Sequence, residues 1–125
     1  MITAGARDTE ALGEALGRTL RAGDLVLLEG ELGAGKTTLV RGLARGAGYR
    51  GRVSSPSFAL AHVYRGRRLT VHHLDLYRLR AADLGELGLD DLLRDPRGAV
   101  VVEWPRRAPR WPRRRVEVRL AHARG

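Results

Sequence analysis

Residues 25 to 44 constrain this chain more than any other stretch. Leu25-Val26-Leu27-Leu28-Glu29 is a short apolar run suited to a strand buried on both faces. It leads directly into Gly30-Glu31-Leu32-Gly33-Ala34-Gly35-Lys36-Thr37, a complete G-x-x-x-x-G-K-T. Thr38-Leu39-Val40-Arg41-Gly42-Leu43-Ala44 then continues as a helix with Leu39 and Leu43 on one face. Strand, glycine-rich turn and helix in that order form a phosphate-binding loop. The backbone N–H groups around Gly33, Ala34 and Gly35 would cradle phosphate oxygens, Lys36 would reach the β and γ oxygens, Thr37 would ligate magnesium, and Thr38 would stand beside them. The positive end of the helix adds to the field.

Lys36 is also the only lysine in a chain with 22 arginines. A drift toward arginine spares lysine only where a compact point charge is needed, since a planar guanidinium does not fit the same hole. The chain has no cysteine, which excludes a disulfide framework, a thiolate metal site and a cysteine nucleophile. No apolar run approaches the ~20 residues of a membrane span, and no basic-then-apolar signal pattern opens the chain, so a cytoplasmic protein without membrane contact is expected. The formal net charge is +9, of which residues 104 to 125 supply +7 through eight arginines against Glu117. That basic segment is either a contact for an acidic partner or RNA, or a solvated surface in a composition that also lacks Asn and Gln.

Asp8 or Thr9 can cap a helix running to about Arg21, with Leu12, Leu16 and Leu20 on one face and Gly23 as its stop. Ala59 to Tyr64 and Leu69 to Leu74 read as a hairpin around Arg65-Gly66-Arg67-Arg68. Ala81 to Leu93 is helical in pattern but interrupted by Gly85 and Gly88, and Asp95-Pro96-Arg97-Gly98 turns into the apolar strand Ala99-Val100-Val101-Val102. Arg115 to Ala121 alternates as a last edge strand. The sum predicts one α/β domain over residues 1–125 of the P-loop NTPase type: a small, mainly parallel sheet with an antiparallel hairpin and helices on both faces.

Ligands of such sheets gather at the carboxyl ends of the strands, where Asp75 and Glu103 each end a predicted strand. A phosphate-loop ATPase needs one acid for magnesium or its waters and a second group to orient the attacking water, so both are expected in the site. Ser55 and Ser57, either side of Pro56, could sense a γ-phosphate or serve only the turn. His72 and His73 are adjacent on a strand and face opposite ways, so at most one reaches the site. Trp104, beside Glu103, lies at the ligand edge but reads equally as rim packing.

Four blocks, in order, resemble the motifs of the TsaE (YjeE) ATPases: Glu31 to Gly42, Ser55-Pro56-Ser57-Phe58, His73-Leu74-Asp75-Leu76-Tyr77-Arg78-Leu79 and Glu103-Trp104-Pro105. The resemblance implies an ATP- and Mg²⁺-dependent hydrolase working with TsaD and TsaB in placing threonylcarbamoyl on the adenosine beside the anticodon of tRNA. It further implies that Thr37 and Glu103 hold magnesium, that Asp75 assists hydrolysis, that Ser57 takes the place of the family's usual threonine, and that Thr9 lies near the adenosine moiety. A regulatory GTPase is excluded, because a chain without Asn cannot supply N-K-x-D. A small-molecule kinase with an arginine lid near residues 65–68 or 106–115, and a nucleotide-switched binding module with little turnover, remain open.

Overall fold

The computed structural model describes residues 6–30, 35–53, 61–76, 88–104 and 111–120. Along the chain they form α1 (Ala6–Thr19), β1 (Leu25–Gly30), α2 (Lys36–Gly46), β2 (Ala61–Arg65), β3 (Thr70–Asp75), α3 (Leu89–Leu93), β4 (Gly98–Glu103) and β5 (Val116–Leu120). The strands make one sheet in the order β2-β3-β4-β1-β5. The β3–β4, β4–β1 and β1–β5 pairs are parallel, and β2–β3 is the antiparallel hairpin. Central β4, flanked by parallel partners and covered above and below, is buried at every residue, which is why its sequence is continuously apolar until Glu103.

Helices cover both faces. Val26, Leu28, Val71, Ala99 and Val101 point toward α1 and α2, where Leu20, just after α1, and Leu39, Val40 and Leu43 of α2 complete that core. On the other face Leu25, Leu27, Leu74, Val100 and Val102 are covered by Leu89, Leu92 and Leu93 of α3, together with Trp104 and Trp111. Among the described residues no helix is long and apolar enough to cross a membrane.

The helix pair is set by glycine. Gly13 and Gly17 on α1, and Gly42 and Gly46 on α2, repeat at the same four-residue interval. A Cβ on Gly13 would overlap the Leu39 carbonyl, one on Gly17 the Leu43 carbonyl, one on Gly42 the Glu10 carbonyl and one on Gly46 the Glu14 carbonyl. The two backbones therefore touch directly, running side by side in the same direction, and Glu10 and Arg45 pair across the seam at 2.5 Å. The opposite end is clasped by Arg68 of the hairpin turn, which donates to the carbonyl oxygens of Gly17 and, at 2.8 Å, Leu20. These are orphan acceptors at the negative end of α1, and a guanidinium suits them.

Two expectations change, and a third lies partly outside the described residues. Asp8 and Thr9 lie inside the first turns of α1 rather than capping it, because the helix begins at Ala6; Thr9 is turned inward and buried. Of the interrupted helical stretch expected over 81–93, the described part is Leu89–Leu93, opened at the expected break by Gly88 in the left-handed region (φ 65°), while residues 81–87 lie outside the described residues. An arginine lid at 65–68 is excluded by position: the turn sits at the amino end of β3, where backbone N–H groups of Arg67 and Arg68 bond the carbonyls of Gly48 and Ala47. That is the far end of the sheet from Asp75 and Glu103.

An exposed mid-helix glycine normally gains ~1 kcal/mol on replacement by alanine. Gly17→Ala and Gly42→Ala should instead each lose about 1–3 kcal/mol by forcing the helices apart, read as a lower urea midpoint with an unchanged slope.

Candidate functional site

The parallel strands β1, β3 and β4 end side by side at Gly30, Asp75 and Glu103, and α2 starts from the same end. Gly35 occupies the residue before α2 in the left-handed region (φ 95°), with no side-chain cap on the helix. A Cβ there would be strained by φ and would stand 3.4 Å from Thr9 Cγ2. Thr9 of α1 thus abuts the turn that opens α2, a consequence of the glycine seam.

Lys36, Thr37 and Thr38 form the first turn of α2. Lys36 is 6% exposed, and its Nζ donates to the Gly30 carbonyl at 2.8 Å. The Trp104 ring lies over the same Nζ, 3.7 Å from ammonium to ring centroid, a cation–π contact. Trp104 reaches this position with its backbone in the left-handed region (φ 58°), which costs a bulky residue about 1–2 kcal/mol. Burial pushes the Lys36 amine below the ordinary lysine range, while the charges of Glu103 and Asp75 pull it back up. One cation and two carboxylates therefore share the strand ends, on the α2 face of the sheet.

Asp75 and Glu103 are register partners across β3 and β4. Glu103 is buried (4% exposed), and its Oε2 meets Nε2 of the buried His73 at 2.5 Å. His73 Nδ1 lies 3.3 Å from the Tyr64 hydroxyl of β2. Burial, with smaller contributions from Tyr49 and Glu103, pushes the Tyr64 phenol up to about 12. His62, also on this face, is held below the usual histidine range by burial and by His73, against a smaller pull from Asp75. His72 points the other way and bonds Asp95 at 2.8 Å on the α3 side. Of the adjacent histidines, only His73 reaches the acids.

The structure thus brings Lys36 to Asp75 and Glu103, with Thr37 and Thr38 following it in the first turn of α2 and Thr9 beside Gly35. Gly33, Ala34 and Ser57 lie outside the described residues, as do Ser55 and Tyr77. Among the described residues no group of three or more His, Asp or Glu is clustered to hold a metal ion. Sequence reasoning did not single out Tyr64, whose only signal was its place on a strand paired with the histidine-bearing one. It left Trp104 undecided between rim and site, because a positive φ is not legible in the residues around it.

A family model described as "Threonylcarbamoyl adenosine biosynthesis protein TsaE" matches residues 3–125. The chain belongs to the TsaE family. It is 41% identical over 107 residues to a protein of Synechocystis, covering 83% of this chain and 68% of that one. It is 52% identical over 105 residues to one of Mycobacterium leprae, covering 78% of this chain and 65% of that one. Both relatives are named tRNA threonylcarbamoyladenosine biosynthesis protein TsaE. The crystal structure of a Bacillus protein, YdiB, superposes with a TM-score of 0.76 at 29% identity, covering 98% of this chain and 76% of that one.

Lys36 offers a test of sign. Its folded-state pKa is lowered from 10.5, so between the two values the unfolded chain binds more protons and stability rises with pH. At neutral pH the buried charge counts against folding. As the buffer is made alkaline and the amine deprotonates, the parent should therefore gain stability relative to Lys36→Met, a side chain of similar length that does not titrate. A difference in melting point that does not move with pH would contradict a cost of burying the charge.

Proposed function

We propose that this chain is a magnesium-dependent ATPase of P-loop architecture that supports threonylcarbamoyl transfer to tRNA, acting with TsaD and TsaB. The observation that carries the proposal is the meeting of Lys36, Asp75 and Glu103 at the carboxyl ends of three parallel strands, against the first turn of α2. Family membership supports the tRNA pathway, and the G-x-x-x-x-G-K-T at residues 30–37 supports a nucleotide triphosphate as ligand.

The donor set suits magnesium. Thr37 and Glu103 would offer a hydroxyl and a carboxylate as hard oxygen ligands, and magnesium is commonly held by one or two carboxylates plus substrate phosphates. Held by Thr37 and Glu103, magnesium would supply positive charge to offset that of the phosphates. The remaining roles fall to the chain itself. Lys36 has three ammonium donors, of which Gly30 takes one, leaving others for phosphate oxygens. Asp75, directly opposite Glu103 across the strand pair, would orient the attacking water, and Thr9 would border the nucleoside where α1 meets Gly35. Inversion or loss of any one charge disturbs the others, since all three are within electrostatic reach.

Phosphate release by the purified chain, alone and with TsaD and TsaB, tests the proposal. Release should be slow alone and rise with the partners, because closing a site against water generally needs a lid. Lys36→Arg and Lys36→Ala should each lower it by roughly 10²-fold or more. Asp75→Asn should lower turnover with a smaller effect on binding of a non-hydrolysable ATP analogue. Undiminished release by Lys36→Arg would remove the lysine from the chemistry, and transfer of the γ-phosphate to a small acceptor would replace the ATPase with a kinase.

A further inference from the structure

The geometry points to His73, itself set by Tyr64, as a positioning residue that fixes the rotamer of the Glu103 carboxylate and so the affinity of the site for a divalent cation. This rests on the reading of Glu103 as a magnesium ligand. Glu103 ends the most buried strand of the sheet with its carboxylate inside the protein, where an acid needs a hydrogen-bond donor. The donor is the Nε2 of His73, 2.5 Å away and 2% exposed. A carboxylate only accepts, so Nε2 carries the proton. The second ring nitrogen, Nδ1, faces the Tyr64 hydroxyl at 3.3 Å, which the upward shift of the phenol to about 12 keeps protonated near neutral pH. Contacts at both ring nitrogens, Tyr64 at Nδ1 and Glu103 at Nε2, hold the imidazole in one ring orientation.

The choice of donor matters. An imidazole held at both nitrogens has one orientation in which to aim the carboxylate, which a long, flexible arginine or lysine would not impose. Strand register builds the chain of contacts: His62 pairs directly with His73, which puts Tyr64 two residues along on the same face, diagonal to His73. His73 in turn pairs with Val101, two residues before Glu103 on the same face of β4. His72, with its own partner Asp95 on the opposite face, takes no part. Residues supporting a metal ligand in this way typically change metal affinity by 10–100-fold, whereas a pair that serves only packing would change stability and leave cation affinity alone.

Equilibrium binding of a non-hydrolysable ATP analogue to the full chain, titrated with magnesium chloride, separates the two. His73→Leu should raise the magnesium concentration at half-saturation by about tenfold or more, with nucleotide affinity in EDTA close to the parent's. His73→Gln, which keeps an N–H donor, should recover most of the loss. Tyr64→Phe, which frees the ring to turn, should give a smaller rise of roughly threefold. An unchanged half-point in His73→Leu, or no recovery in His73→Gln, overturns the positioning role. If His73→Leu does not fold, Tyr64→Phe decides: a raised half-point upholds the inference and a parental one refutes it. Glu103→Gln serves as reference. A raised half-point there with a parental one in His73→Leu removes His73 alone, while a parental half-point in Glu103→Gln removes Glu103 as a ligand and this inference with it.

Discussion

Direct backbone contact between α1 and α2 is the constraint on which the rest of the molecule depends. Four glycines remove the side chains that would otherwise separate the helices. The contact brings Thr9 against Gly35, and it leaves the last carbonyls of α1 where Arg68 reaches them from the hairpin turn. One packing decision therefore links the turn before α2, the far end of α1 and the β2–β3 hairpin. Glycine weakens an isolated helix by about 1 kcal/mol relative to alanine; here the loss is offset by dispersion and the covered apolar face that close approach makes available.

At the other end of the sheet the organising principle is electrostatic. Parallel strands finish together, so residues distant in sequence end adjacent: Gly30, Asp75 and Glu103 are separated by tens of residues and share one edge. Burying an ammonium and a carboxylate there is costly unless each finds partners. Lys36 has the Gly30 carbonyl and the Trp104 ring, and Glu103 has His73. The positive φ at Trp104 belongs to the same arrangement, in which its indole lies over the lysine. A site that holds charge out of water and tolerates backbone strain is less stable than an apolar replacement would be, which is the expected character of a functional region.

Much of this was legible in residue order. The strand before the motif and the helix after it, the hairpin, the buried run of β4 and the edge position of β5 follow from period and punctuation, and each is observed within a few residues of its expected bounds. The motif at 30–37 carried the phosphate reading, and acids at strand ends carried Asp75 and Glu103. Element boundaries were less legible where capping competes with helix propagation: Asp8 and Thr9 resemble caps by composition, yet the helix passes through both because Thr9 has a place to be buried against α2.

The sequence by itself determined which chemistry was available: a single lysine in a phosphate-loop motif, two acids closing strands, no thiol, and family blocks in order. Only the tertiary structure decided which groups touch. Period-2 alternation says that His72 and His73 diverge, but not which of them meets Glu103, because that depends on which face α2 covers. Neither the Tyr64–His73–Glu103 series nor the indole over Lys36 has a local signature. Both arise from strand register and sheet order, long-range relations set by packing of the whole core rather than by any short run of residues.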